Sequence, residues 1–157
     1  MLNNLLKGGF LMAYCAADVA KYIISYCSAN KSPVTNLKLQ KMLYFVWIDY
    51  YKLKHTELYC DDICAWQLGP VVPNVYYNYC AFAGTPIEEF SSDVPVLKED
   101  APLIDSIISQ YLPMPASTLV NMTHQKGKPW DIIFRDGAGI RRVIPFELIK
   151  ELECQSC

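Results

Sequence analysis

The stretch from Asn36 to Lys54, with the sequence NLKLQKMLYFVWIDYYKLK, constrains the fold of this chain more than any other segment. At helical spacing it has one narrow polar stripe, and apolar or aromatic residues cover most of the remaining circumference. One apolar face is enough for a surface helix, so a helix that is apolar on most sides is packed on several sides. The segment therefore predicts a central, buried helix. Its polar stripe consists of Lys38, Lys41, Asp49 and Lys52.

Gln40 interrupts the aromatic side of this helix, in line with Tyr44 and Trp47. A buried amide without partners costs roughly 2–7 kcal/mol, so we expect Gln40 to be hydrogen-bonded. No residue type in the helix points to catalysis. The segment is predicted to be a scaffold that also offers a binding face.

Length and charge limit the fold and the function classes. The chain has 157 residues, which suits one domain with a real hydrophobic core. Its net charge is -2 and it has no basic run, which argues against nucleic acid as the main ligand. No apolar run approaches the roughly eighteen residues of a membrane span. We predict a cytoplasmic protein with a mainly α fold, a compact single-domain helical bundle around the central helix with a small β-strand or hairpin element.

Apolar periodicity and turn residues predict the other elements. The helical segments are 18–29 capped by Asp18, 73–83 between Pro73 and Gly84, 100–111 capped by Asp100, a short helix around 119–124, a turn at 130–134 and a last helix after Pro145. Alternation over 61–69 predicts a short strand that Gly69 and Pro70 break. Residues 94–97 are expected to form a second short strand, and residues 141–144 are expected to be extended.

Residues 1–11 are expected to be a non-native N-terminal extension, which leaves 12–157 as the single domain. The tripeptide KGG before Met12 can be encoded by a ribosome-binding sequence a short distance upstream of the Met12 codon. We therefore predict that the protein made from its own locus starts at Met12. Mass spectrometry of that protein checks the start, and a peptide from within residues 1–11 would contradict it.

Seven cysteines are many for a cytoplasmic chain. Buried reduced thiols account for most of them, with Cys27 and Cys80 at expected helix-core positions. Cys60 and Cys64 are spaced C-x3-C, and the chain ends in C-x-x-C, but neither spacing is that of a zinc finger or ribbon. We therefore predict no metal site and no cofactor.

Three segments together resemble a known family. They are LKLQKMLYF at 37–45, AWQLGPVVPNVY at 65–76 and LVNMTHQKGKPW at 119–130. In this order and spacing they are similar to the Panacea domain of SocA-like antitoxins, a family that includes phage-associated proteins of the GepA type. The resemblance covers roughly residues 18–130.

The resemblance implies an antitoxin of a bacterial or phage toxin–antitoxin pair. Such a protein neutralises a cognate protein toxin, encoded adjacently, by direct binding; the SocA branch implies an alternative, delivery of the toxin to the ClpXP protease. The residues that carry the motifs or bind the partner would be Leu39, Lys41, Tyr44, Trp66, Gly69, Pro70, Val71, Thr123, His124 and Trp130. Most of them have a structural interpretation as well. Trp66 to Val71 would form a corner that docks on the central helix, and Thr123, His124 and Trp130 would form a buried polar lock.

The segment from Glu88 to Asp100 is acidic, with Glu88, Glu89 and Asp93 near its start. It is predicted to be a surface loop. Toxins that act on RNA are typically basic where the RNA binds, so this loop could cover such a face by charge complementarity. The alternative is a solvated loop with no partner.

Two other function classes compete with a protein-binding antitoxin. An enzyme would need a nucleophile beside a base, and Cys80 with His124, oriented by Asn121 or Asp131, is the pair that the chain offers. No nucleophile elbow, paired-carboxylate motif or phosphate loop supports it. A nucleic-acid-binding regulator would use the basic residues Lys126, Lys128, Arg135, Arg141 and Arg142, but no recognition helix accompanies them.

Overall fold

The computed structural model describes residues 13–88 and 97–155, and it confirms a mainly helical fold with a small hairpin. The helices are α1 (Ala16–Ala29), α2 (Asn36–Lys54), α3 (Pro73–Tyr76), α4 (Ala101–Tyr111), α5 (Ala116–Thr123), α6 (Pro129–Phe134) and α7 (Phe146–Glu153). The strands are β1 (Cys64–Trp66) and β2 (Gly69–Val71), and short 3-10 turns lie at Cys80–Phe82, Lys98–Asp100 and Arg135–Gly137. The predicted extension at 1–11 lies outside the described residues. None of the helices in the described ranges has the length and apolar character needed to cross a bilayer.

Helix α2 is the central helix, with the bounds that its sequence predicts. The Thr35 side chain accepts a hydrogen bond from the Lys38 N–H (3.3 Å), and His55 ends the helix in a left-handed conformation. Helices α1, α4 and α5 and strand β2 pack around it. Leu39, Leu43 and Trp47 consequently have no exposed surface.

The prediction of a polar stripe on α2 is wrong for one residue, Lys41. Lys52 is exposed and Lys38 and Asp49 are half-buried, but Lys41 has 0% exposed surface. The β1–β2 hairpin lies across the helix at Lys41 and removes the side chain from solvent. Helical periodicity places the residue on a line but does not show what covers that line.

Both predicted aspartate caps are wrong, because neither aspartate side chain accepts a capping hydrogen bond at the start of its helix. Helix α1 begins at Ala16, before Asp18, and the Ala16 N–H donates to the Asp61 carboxylate (2.7 Å). Asp100 precedes α4 without capping it. Its carboxylate accepts instead from the phenol of Tyr14 (2.7 Å).

The predicted helix at 73–83 is wrong beyond its first turn. Helix α3 ends at Tyr76, whose carbonyl accepts a hydrogen bond from the Asn36 side chain (3.1 Å). The same carbonyl also accepts from the Tyr79 N–H (3.2 Å), three residues on, so a tight turn follows instead of another α-helical turn. Cys80 is therefore exposed rather than in the core, whereas Cys27 is buried as predicted.

The β element is a hairpin rather than one strand broken by Gly69 and Pro70. Strands β1 and β2 pair antiparallel, with Trp66 opposite Gly69, so the turn comprises residues 67–68. The extended segment predicted at 141–144 is confirmed for residues 142–144, on the other side of β1, where the Ala65 N–H donates to the Arg142 carbonyl (2.8 Å), whereas Arg141 lies in a turn with a φ of +65°. Of the strand predicted at 94–97, residues 94–96 lie outside the described part of the chain.

Candidate functional site

Two side chains of α2 attach the hairpin to the central helix. The Lys41 amine donates to the Pro70 carbonyl (2.7 Å), and the Gln40 carbonyl accepts from the Val72 N–H (2.9 Å). The Gln40 amide also donates to the Asn36 side chain (3.0 Å), which confirms that this buried amide is hydrogen-bonded. The predicted docking of the 66–71 corner on the central helix is thereby confirmed, although the corner is a strand pair.

A third part of the chain closes the hairpin from the other side. The Trp130 indole N–H of α6 donates to the Trp66 carbonyl (2.8 Å). Helix α5 also contacts β2. Residues from α2, the hairpin and α5–α6 therefore meet at one place, and these are the three segments that carry the family resemblance.

Lys41 is the unusual residue of this site. Burial lowers the pKa of its amine from 10.5 to about 7. Within the described structure its hydrogen-bond acceptor is the Pro70 carbonyl. An ammonium group has three N–H donors, so Lys41 is held in the folded chain without full compensation of its charge. At neutral pH the charged and the neutral amine are present in comparable amounts.

Gly69 lies directly against Lys41 and Thr123. Its φ is +105°, a region that glycine adopts readily and other residues rarely do. A Cβ built on Gly69 would lie 2.6 Å from the Thr123 hydroxyl oxygen and 2.9 Å from the Lys41 Cε. The hairpin can approach α2 and α5 this closely because residue 69 has no side chain.

Ring stacking, not hydrogen bonding, joins His124 to Trp130, and Thr123 is not part of this contact. The His124 ring stacks on Trp130 at 3.8 Å between centroids and 2° between planes, and the Thr123 hydroxyl donates within its own helix to the Val120 carbonyl (2.7 Å). The His124 Nε2 atom is buried and has no hydrogen-bond partner among the residues that the structure describes. Burial, and then the nearby Lys41, lower the His124 pKa, so the imidazole is neutral at pH 7. The predicted polar lock is in fact a stacked aromatic lock.

A half-open pocket of about 280 Å³ lies between the start of α2 and the hairpin. The residues that line it are Asn36, Leu37, Gln40, Lys41, Trp66, Gln67, Leu68, Val71, Tyr76, Cys80 and Ala83. Of the predicted site residues, Lys41, Trp66 and Val71 therefore lie at this pocket. The rest pack behind it or in the core; Leu39 and Tyr44 belong to the core, with at most 2% exposure.

Sequence reasoning missed the contribution of Leu68 and Tyr76 to the pocket, and of Tyr77 near its rim. Leu68 is 52% exposed, and Tyr77, whose ring lies 6.0 Å from the Trp66 ring, is 58% exposed. Their signal in the sequence is weak, because single exposed apolar residues are common on any surface. Their common position beside Trp66 appears only in the folded chain.

The structure does not assemble the Cys80–His124 pair. The Cys80 thiol is exposed and donates to the Tyr77 carbonyl (3.3 Å), while the His124 Nε2 has no partner. Asp131, a proposed orienter, accepts instead from the Gly127 N–H (2.8 Å). Across residues 13–88 and 97–155, no three His, Cys, Asp or Glu side chains are grouped as a metal site. In the acidic loop Glu88 is exposed, whereas Glu89 and Asp93 lie outside the described residues.

Residues 39–131 match the family described as "Antitoxin SocA-like, Panacea domain". The chain belongs to this family. A curated relative of this Panacea-domain protein, "Antitoxin SocA" of Caulobacter vibrioides (strain NA1000 / CB15N), is 30% identical over 130 residues, covering 75% of this chain and 69% of the relative. No solved structure gives a significant match to the chain. The matched span contains the hairpin, α5 and most of α2, so the family segment of this Panacea-domain protein builds most of the pocket; Asn36 and Leu37 lie just before it.

Proposed function

We propose that this Panacea-domain protein is a cytoplasmic antitoxin that neutralises a toxin encoded by a neighbouring gene through direct protein–protein binding, without catalysis. The observation that carries the proposal is the half-open pocket built by the family segment. Its ionisable groups have no nucleophile–base geometry, and its rim presents apolar and aromatic side chains. We further propose that residues 12–157 form the functional domain.

The surface around the pocket has the composition of a protein interface. Trp66 is half-buried, Tyr77 and Leu68 are exposed, and the Arg141 guanidinium lies 5.3 Å from the centre of the Trp66 ring. Tryptophan, tyrosine and arginine are the residues that most often dominate binding energy at interfaces. Val143, on the extended segment beside β1, is 45% exposed and extends the apolar surface.

Co-expression tests this function. The neighbouring open reading frame is induced alone, and then together with this chain started at Met12. We expect growth arrest in the first culture and rescue in the second. A neighbour that is harmless, or toxic without rescue, would contradict the antitoxin role.

The fate of the toxin separates direct binding from delivery to ClpXP. With direct binding, affinity purification of the antitoxin recovers the toxin at undiminished cellular levels. With delivery, the toxin disappears from wild-type cells and reappears in cells that lack the protease, where the rescue fails. Recovery of a stable complex from rescued wild-type cells is our expected result.

The acidic loop provides a further prediction. Reversing Glu88, Glu89 and Asp93 to lysine is expected to slow association with the toxin by about tenfold or more at low salt, because complementary charges chiefly accelerate encounter. The association rate is measured by stopped flow or surface plasmon resonance at two salt concentrations. A variant carrying lysine at Asp136, Glu147 and Glu151, three exposed positions outside the loop, makes the same change in net charge and is the matched control. An unchanged association rate of the loop variant would contradict a role of the loop in toxin binding and indicate a solvated loop.

A double variant tests the absence of catalysis. Replacing Cys80 with Ala and His124 with Phe removes both candidate reactive groups, and Phe keeps a ring that can stack on Trp130. We expect full protection from the toxin, because the His124 Nε2 makes no hydrogen bond that Phe would lose. The rescue assay measures protection. Loss of rescue by a folded double variant would reopen the enzyme hypothesis.

A further inference from the structure

The pocket carries positive charge that nothing in its wall balances. Its walls are mostly apolar, Lys41 is its cationic residue, and no aspartate or glutamate lines it. Arg141 adds a second cation over the Trp66 ring. None of the ion pairs formed within residues 13–88 and 97–155 includes either cation. An occupant of this pocket would therefore be expected to bring a negative charge.

Carboxylates in the neighbouring elements are engaged elsewhere. On α2, Asp49 accepts from the phenol of Tyr111. On α6, Asp131 accepts from the Gly127 N–H (2.8 Å), and at the end of α7 Glu153 pairs with Lys128 (3.0 Å). If one of these carboxylates paired with Lys41, it would lose its present hydrogen bond or ion pair. None of these three carboxylates is therefore free to balance the charge of Lys41.

Lys41 is also a buried polar group of the pocket with donors to spare. The Gln40 carbonyl accepts from Val72, and its amide donates to Asn36, so this side chain is committed on both sides. Asn36 in turn donates to the Tyr76 carbonyl. A protonated Lys41 uses one N–H on Pro70 and keeps two.

We propose that this pocket binds a glutamate side chain of the partner toxin, with the carboxylate on Lys41 and the methylene groups against Trp66 and Tyr76. The proposal rests on the proposed function, since it names the contact by which the toxin is held. Glutamate fits better than aspartate, because Lys41 has no exposed surface and the carboxylate must reach the inner end of an apolar wall. Entry requires a local side-chain shift, which is common at interfaces.

The energetics favour this pairing more than an ordinary buried ion pair. A buried pair normally loses as much by desolvating both charges as it gains by attraction. Here the lysine is already desolvated in the free antitoxin, so binding adds only the desolvation of the carboxylate. A small inorganic anion would lose its hydration at the same walls without gaining the methylene contacts.

The contact has a pH signature. A carboxylate beside Lys41 raises the pKa of the amine above the value of about 7 that it has in the antitoxin without its partner. Near and above neutral pH, the Lys41 amine therefore takes up a proton when the toxin binds. The affinity is therefore expected to fall about tenfold for each pH unit above 7, until the pKa of the bound state is reached. The other ionisable groups that face this region are His124 directly after α5, Tyr76, Cys80 and Arg141; β2 contributes none. The His124 pKa is lowered, so this residue stays neutral in that pH range.

The experiment measures toxin binding by isothermal titration calorimetry for the full-length antitoxin and two variants, from pH 6.5 to pH 9. Lys41→Met removes the amine and keeps a side chain of similar length. Lys52→Met is the matched control, an exposed lysine of the same helix that is absent from the pocket. Circular dichroism confirms that each variant is folded. Replacing the glutamates of the toxin one at a time with glutamine then locates the occupant.

We expect Lys41→Met to bind at least about tenfold more weakly than the wild type at pH 6.5 and to lose the pH dependence. Lys52→Met should match the wild type. One Glu→Gln variant of the toxin should bind the wild-type antitoxin more weakly than the unmodified toxin does. The same toxin variant and the unmodified toxin should bind Lys41→Met with equal affinity. Retention of wild-type affinity and pH profile by Lys41→Met overturns this proposal alone, as does a toxin without any such glutamate. Absence of binding by the wild type contradicts the proposed function itself.

Discussion

Replacing Lys41 with methionine is expected to raise the free energy of unfolding at pH 6 by about 2–4 kcal/mol. The fall of the Lys41 pKa from 10.5 to about 7 corresponds to about 5 kcal/mol for holding the charged amine in the folded chain. Methionine removes that cost and fills similar space. It also leaves the Pro70 carbonyl without its donor, which costs about 1–3 kcal/mol.

The gain should depend on pH in a defined direction. Between pH 7 and 10.5 the unfolded chain binds the Lys41 proton and the folded chain does not, so wild-type stability from this group rises with pH in that window. Lys41→Met lacks this rise, so its advantage should shrink by about 1.4 kcal/mol per pH unit above pH 7 and disappear between about pH 8.5 and pH 10. Buried tyrosines and cysteines titrate in both proteins, so the difference between the two proteins isolates Lys41.

Urea unfolding of both proteins at pH 6, 8 and 10 measures the effect. Lys52→Met, at an exposed position of the same helix, should differ from the wild type by less than about 0.5 kcal/mol at each pH. A Lys41→Met protein that is less stable than the wild type at pH 6 would show that the amine contributes more through its hydrogen bond than its burial costs.

Replacing Gly69 with alanine is expected to lower the free energy of unfolding by about 2–5 kcal/mol. Alanine is strained at the φ of +105°, whatever space is available. Its Cβ would also meet the Thr123 hydroxyl at 2.6 Å and the Lys41 side chain at 2.9 Å. Relief of these contacts would push the hairpin away from α2 and disturb the pocket.

Two companion variants make the Gly69 result specific. Gly84→Ala, at a position where an added Cβ meets nothing within 4 Å, should be nearly neutral. Combining Gly69→Ala with Thr123→Ala removes the closest contact, so the double variant should lose less stability than the sum of the single variants. Thermal and urea unfolding measure the wild type, the single variants Gly69→Ala, Gly84→Ala and Thr123→Ala, and the double variant. Strict additivity would show that backbone strain, rather than the Thr123 contact, accounts for the loss.

Local periodicity predicted the elements whose burial depends on their own residues. The bounds of α2 and the helix predicted at 100–111 are confirmed, because a continuous apolar pattern at helical spacing specifies a helix that packs on its apolar side. The requirement that a buried amide be paired predicted the hydrogen bonds of Gln40. The motif resemblance gave the family, which the match over residues 39–131 confirms.

Competition between distant groups caused the errors. Asp18 and Asp100 are suitable caps by sequence, but Asp61 reaches the start of α1 and Tyr14 engages Asp100. The helix after Pro73 stops at one turn, where Asn36 binds a backbone carbonyl. In each case a side chain from another segment offers the backbone or the carboxylate a partner that the local sequence does not contain.

The sequence by itself therefore determined the helical class, the central helix and the family of this protein. The tertiary structure decided the character of the site. Lys41 belongs to a polar stripe in the sequence, and it becomes a buried amine at a pocket because Gly69 allows the hairpin to lie against it. The physical reason is that periodicity reports which residues share a face, whereas the pKa and accessibility of a charged group depend on what the rest of the chain packs over that face.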